Sequence, residues 1–207
     1  MLTRPVGSFT INKYSSQYNG LVFWLPLTDL ILTDRARRLT LTATGVPFLT
    51  FDNVRASVQF NGTTEYLLAG SAPVIAAPLT LVAWFYQRSS ATRTILALNN
   101  SADVTNYFSL EAQSTPAFRA RTSDGAVSSA TATTTPTALT WNHGVGVFAA
   151  TNSRTVYLNG GGKATQTSTR TPTGINRITV GALGGSTPTE FINGSLADIR
   201  LYNRALT

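Results

Sequence analysis

Apolar and polar residues alternate most clearly near the C-terminus, in Glu190 to Leu206, EFINGSLADIRLYNRAL. Ile199 and Leu201 share one face; Asp198 and Arg200 share the other, the period-2 pattern of a half-buried strand. Leu196 falls on the Asp198 face, which points to a bulge or to a start of the strand covered on both faces. Asn193-Gly194 reads as a turn pair opening the strand. A final strand this apolar needs sheet partners from distant parts of the chain.

The same pattern recurs upstream. Gly20 to Leu27 is an apolar run that Pro26 confines to an edge or a strand end. In Arg38 to Ala43, Leu39, Leu41 and Ala43 alternate with Thr40 and Thr42. Val46 to Phe51 and Ala56 to Phe60 follow; Asn61-Gly62 then predicts a hairpin into Glu65 to Ala69. Leu79 to Tyr86 is apolar on both faces and predicts a central strand. Thr94 to Leu98, Asn106 to Ala112, Ala117 to Thr122 and Ala126 to Ala130 come next, the last two joined by Asp124-Gly125. After a Thr/Ala loop over Ala130 to Pro136 come Trp141 to Ala149 and Arg154 to Gly160. The triplet Gly160-Gly161-Gly162 turns the chain into Lys163 to Ser168, and Asn176 to Ala182 precedes the final strand. Short strands with turn signals about every 8–12 residues, and no helix longer than a turn, predict an all-β antiparallel sandwich of jelly-roll type. Residues 20–207 form that domain, and the weakly patterned residues 1–19 read as an arm or extended lead-in.

Composition supports a packed domain: 43% of the 207 residues are hydrophobic and 12% charged, the opposite of a disordered chain. The net charge of +7 is carried by arginine, since Lys13 and Lys163 are the only lysines. Arg35, Arg37 and Arg38 make the one cluster, too short for a nucleic-acid arm. With Arg4 and Lys13 they are instead candidates for binding a protein partner. Cysteine is absent, which excludes disulfides, thiolate metal sites and a cysteine nucleophile. The stretch MLTRPVGSFTINK lacks an apolar signal-peptide core, and no apolar run approaches the ~20 residues of a membrane span. The expectation is synthesis in a cytoplasm without export, and no membrane partner.

Six motifs in order resemble the LamG-like jelly roll of the concanavalin A-like lectin/glucanase superfamily. They are Gly20-Leu-Val-Phe-Trp-Leu-Pro-Leu27, Val58-Gln-Phe-Asn-Gly-Thr-Thr-Glu-Tyr66 and Thr80-Leu-Val-Ala-Trp84, followed by Trp141-Asn-His143, Tyr157-Leu-Asn-Gly160 and Gly194 to Leu206. The closing motif departs from the family at Ala197, where the family carries aspartate. The resemblance implies a concanavalin A-like sandwich over residues 20–206. It also implies that Trp24, Trp84 and Trp141 are core residues rather than sugar-stacking platforms, and that His143, the only histidine, is structural.

The family's glucanases aim two or three carboxylates from alternate positions of one strand at one sugar. This chain has nine acidic residues, none in E-x-D or E-x-x-E spacing, and Glu65 and Glu111 stand alone in their strands. It is therefore expected not to be an enzyme. Calcium loops of the pentraxin kind would draw on Asn99, Asn100 and Asp103, a half-site too poor in ligands for firm binding; loop caps are the preferred reading, with no cofactor. The lead-in from Ile11-Asn12 to Trp24 resembles LamG-like proteins found among tailed-phage virion genes. The expectation is a non-enzymatic virion decoration protein on the particle surface, contacting capsid proteins, with a trimer suggested by analogy and glycan adhesion as a second property. The alternative is a carbohydrate-binding or adhesion module of a cell-surface or tail-fibre protein.

Overall fold

In the computed structural model, residues 12, 14–52, 55–88, 93–113 and 117–207 are described. They form β1 (Leu21–Leu25), β2 (Thr42–Thr44), β3 (Phe48–Asp52), β4 (Arg55–Asn61), β5 (Tyr66–Ala69), β6 (Leu79–Gln87), β7 (Arg93–Asn99) and β8 (Asn106–Ala112). Then follow β9 (Phe118–Asp124), β10 (Val127–Thr131), β11 (Trp141–Ala150), β12 (Ser153–Leu158), β13 (Gly161–Gln166), β14 (Arg177–Val180) and β15 (Asn193–Tyr202). The only helical piece among the described residues is a 3₁₀ turn at Ser16–Tyr18.

The strands make two antiparallel sheets. One runs β13-β12-β11-β6-β15-β4-β3, with β1 added along β15; the other runs β10-β9-β8-β7-β14-β5-β2. The alternating residues predicted to be apolar face one another between them. Phe23, Leu25, Leu81, Phe85, Leu196 and Ile199 of the first sheet meet Leu67, Leu96, Leu98, Phe108, Leu110 and Phe118 of the second, all in one core. Phe85 stacks on Phe118 with centroids 5.3 Å apart, and Phe108 meets Phe148 edge-on at 5.4 Å. The sandwich expected from the alternation is the observed fold.

The final strand is shared by three partners. The first half of β15 pairs β4 from Asn193↔Asn61 to Leu196↔Val58, and its second half pairs β1 from Ile199↔Leu25 to Tyr202↔Leu21. Along its other edge it pairs β6. The register slips between Ala197 and Arg200, where Asp198 has φ 51°. Of the two readings the bulge is the observed one, and it returns both Leu196 and Ile199 to the core.

Two turn assignments need correction. Asn193-Gly194 does not turn: both residues lie inside β15, and Gly194 is required because a Cβ there would strike the Tyr86 carbonyl. Asn61-Gly62 does not close a hairpin either. β4 already has β15 and β3 at its two edges, so β5 crosses to the opposite sheet and pairs β14 and β2. The Asn61 side chain builds that corner, accepting from the backbone N–H groups of Thr63 and Thr64. Asp124-Gly125 does close the β9–β10 hairpin.

Candidate functional site

The outward face of the larger sheet carries a row of aromatic side chains. On β6, Leu81, Ala83 and Phe85 point into the core, so Trp84 and Tyr86 point out. On β11, Gly144 and Phe148 lie on the inner side, which turns Trp141, His143 and Val145 outward. Register then brings these sets together: Trp141 is opposite Tyr86 and His143 opposite Trp84, while Val145 is opposite both Val82 and Tyr157 of β12. Tyr86 and Trp141 meet edge-on at 5.8 Å, and Trp84 and His143 lie tilted against each other at 5.0 Å. Tyr86, Trp141, His143 and Tyr157 are all partly exposed. Two cations rim the row: Arg88 is 5.6 Å from the Tyr86 ring centre, and Lys163 is 5.9 Å from that of Tyr157.

Trp24 lies on the same outward face. Its Nε1 donates to Asp198 Oδ1 at 2.7 Å, and Arg200 closes a two-pronged pair with the same carboxylate at 2.9 and 2.8 Å. The expectation that the tryptophans are buried holds for Trp24 and Trp84 but not for Trp141, which is partly exposed. Trp24 and Trp84 are largely buried, yet both stand outside the inter-sheet core. β1 and β6 are apolar on both sides, so alternation puts Trp84 on the face opposite Phe85 but cannot say which face meets the second sheet. Burial holds the His143 imidazole below its ordinary value, with Asp198 pulling it up and Arg200 down.

The outward face of the smaller sheet is different. Glu111 is fully buried there, accepting from Ser109 at 2.6 Å, Arg119 Nε at 2.6 Å and Arg121 Nη1 at 3.2 Å. Arg121 Nη1 also donates to Glu190 at 3.1 Å, and Thr94 Oγ1 donates to the other Glu190 oxygen at 2.9 Å. Glu111 thus does not stand alone, as its sequence surroundings suggested; the fold brings Glu190 to the same guanidinium. Burial and the Glu190 charge push the Glu111 carboxyl up from its usual range, while Arg121 and Arg119 pull it down. Burial pushes the Tyr107 hydroxyl up to about 12. The chain between β14 and β15 lies over this face like a strap, with Leu183 packed on Ala97 and Tyr107. Arg177 holds it by donating to the Gly184 and Gly185 carbonyls.

The residues singled out in the sequence do not assemble. Arg4 and Lys13 lie outside the described residues. Arg35 pairs with Asp29 at 3.2 Å, while Arg37 and Arg38 project from a loop knotted by buried Asp34, which accepts the N–H groups of Trp24, Ala36, Arg37 and Leu39. Asn99 donates to Thr179 at 3.0 Å and Asn100 to Asp103 at 2.7 Å. Asp103 also accepts from the Thr105 and Asn106 backbone; desolvation is the largest single influence and raises it, but these bonds and those from the Asn106 and Thr105 side chains together hold it below its ordinary value. Its oxygens serve the loop, the arrangement of a cap. Sequence reasoning missed Tyr86, Tyr157, Arg88 and Lys163 as surface residues. Strand alternation marks Tyr86 as facing away from Phe85, but only register shows that it meets Trp141.

A family profile described as the concanavalin A-like lectin/glucanases superfamily matches residues 61–207. The chain belongs to that superfamily. Among solved structures it is similar to domain 4 of AbnA, a GH43 extracellular arabinanase from Geobacillus stearothermophilus, in complex with arabinotriose. The TM-score is 0.74 at 15% identity, covering 90% of this chain and 94% of that one. It is also similar to the binding domain of botulinum neurotoxin serotype D/C, with a TM-score of 0.66 at 12% identity, covering 91% of this chain and 50% of that one. A type C botulinum neurotoxin structure, whose cell entry is described as dependent on two ganglioside molecules, gives 0.65 at 14% identity, covering 91% and 49%. The chain thus spans about half the length of these toxin domains. Comparison with curated proteins yields no match. At these identities the structures share the fold with this member of the superfamily.

Proposed function

We propose that this protein is a non-catalytic carbohydrate-binding module whose sugar-contacting surface is the aromatic row of β6, β11 and β12. The observation that carries the reading is the partly exposed set Tyr86, Trp141, His143 and Tyr157, gathered by register on adjacent strands. Aromatic rings offer an apolar face for the C–H side of a pyranose or furanose, while tyrosine hydroxyls can donate to or accept from its hydroxyls and an indole N–H can donate to them. The arabinotriose complex of the arabinanase domain, and the ganglioside-dependent cell entry described for the type C toxin, favour the same use of the fold. A non-catalytic role fits the acids: Glu111 is buried and Glu190 is bound to Arg121, both on the opposite sheet from the aromatic row. Titration with arabinotriose and a panel of other oligosaccharides, followed by tryptophan fluorescence, tests the proposal. At least one sugar should bind, and Trp141→Ala should weaken it by roughly tenfold or more, the scale of a lost aromatic contact. Absence of binding across the panel at millimolar concentration sinks the reading, as does an unchanged affinity in Trp141→Ala.

The setting we favour for this module is the surface of a virus particle. Exposed Arg37 and Arg38, an arginine-rich composition and the phage-like lead-in support it. In that setting residues 1–19 serve as an anchoring arm, and copies group around a symmetry axis, with a trimer as the analogy. Sedimentation with purified particles checks it; recovery only as free protein argues against it.

A further inference from the structure

Charge is distributed unevenly along this chain. Between Asp124 and Glu190 the sequence contains no aspartate or glutamate, yet it carries Arg154, Lys163, Arg170 and Arg177. Folding concentrates the asymmetry. The four adjacent strands β13, β12, β11 and β6 contain no carboxylate, and together they present the aromatic row. Lys163 and Arg88, the cations at its rim, are exposed, and neither pairs with a carboxylate among the described residues. Arg154 lies buried beneath the same sheet, donating to Ser128 Oγ and to the carbonyls of Thr151 and Ser168, all neutral partners. The Asp198 charge reaches His143 of the row, but that carboxylate is paired with Arg200 at 2.8 Å. Several other cations do meet carboxylates: Arg35, Arg119, Arg121 and Arg200, and also Arg170, which lies 3.7 Å from Asp124 at the edge of the acid-free stretch.

We infer that the aromatic row takes an anionic saccharide, with Arg88 and Lys163 receiving its carboxylate or sulfate groups while the rings receive its apolar face. The inference rests on the carbohydrate-binding reading and narrows it to a substrate class. Its physical basis is that a positive field with no local counter-charge concentrates anions. A cation placed over a ring edge can meet an acidic substituent on a sugar stacked beside it. A neutral sugar would leave both cations unused.

The test is calorimetric titration of the full chain with three trisaccharide-scale probes: arabinotriose, trigalacturonate and a sulfated oligosaccharide. Each is measured at two salt concentrations, with inorganic sulfate and a short single-stranded DNA as controls. One or both charged sugars should bind at least about tenfold tighter than arabinotriose at low salt, and that advantage should shrink as salt screens it. The double variant Arg88→Ala/Lys163→Ala should erase the preference and leave any arabinotriose affinity in place. Both side chains are exposed, so the variant's thermal midpoint should match the parent's. Equal binding of neutral and charged sugars overturns the inference but leaves the carbohydrate-binding reading standing. Retention of the preference in the double variant overturns the assignment to these two cations. Failure of every sugar overturns both readings. Competition by DNA or free sulfate at the sugars' own concentration shows recognition of charge alone and overturns the saccharide assignment.

Discussion

Glu111 and His143 show how little a residue's chemistry depends on its type alone. Each is the sort of side chain that suggests catalysis, and each is occupied. The carboxylate of Glu111 has three donors from Ser109, Arg119 and Arg121. His143 is packed on Trp84, and burial holds its imidazole below the ordinary value. This depression has a definite sign. Above about pH 6.5 the imidazole is neutral in both folded and unfolded chains and contributes nothing. As pH falls below that value the unfolded chain takes the proton first, so stability declines until the folded chain protonates as well. Urea midpoints measured from pH 7.5 to 5 should therefore fall faster for the parent than for His143→Gln. Parallel curves would show that the imidazole titrates alike in both states.

Among the elements, β11 and β15 are the most constrained. β11 carries Gly144 and Gly146 where its inner face meets the opposite sheet. A Cβ on Gly144 would enter the Phe118 ring, and one on Gly146 would come within 2.6 Å of Leu110 Cδ2. Neither glycine is there for an unusual dihedral; each is there for space, so that Phe118 can stack on Phe85. Gly144→Ala should cost about 1–3 kcal/mol, the usual range for overpacking a dense core. Chemical denaturation checks it, and Phe118→Leu should recover part of the loss in the double variant. An unaffected midpoint would mean that the two sheets separate more readily than their packing implies. β15 is constrained differently: its bulge at Asp198 lets one strand serve β4 with its first half and β1 with its second.

At the scale of the molecule, the two outward faces are built differently. One is an open aromatic surface among strands that lack acids; the other is closed by the strap, whose fixings are the Glu190–Arg121 pair, the Thr94 hydroxyl and the Arg177 fork. Glu190→Gln keeps the shape but removes the charge from that pair. Amides of residues 182–190 should then exchange with deuterium faster, while those of β6 and β15 exchange as in the parent. A uniform rise in exchange would instead make the strap an integral part of the global fold. No described helix is long and apolar enough to cross a membrane.

Alternation, turn residues and composition determine by themselves that this chain forms short antiparallel strands in a sandwich and that Asp124-Gly125 closes a hairpin, and they leave a bulge in β15 as one of two readings. These are local matters: a side chain's face follows from its neighbours two positions away. Tertiary structure decided what depends on pairing. It sent Asn61-Gly62 around a corner between sheets, because both edges of β4 were taken. It put Trp24 and Trp84 on the outward side of their sheet, though still buried, because strands apolar on both faces leave the choice to whichever sheet covers them. It set Tyr86 beside Trp141 and Glu190 beside Arg121, residues whose separation along the chain hides any relation. Register between strands is the physical quantity that joins such residues, and a linear pattern of period two contains no information about it.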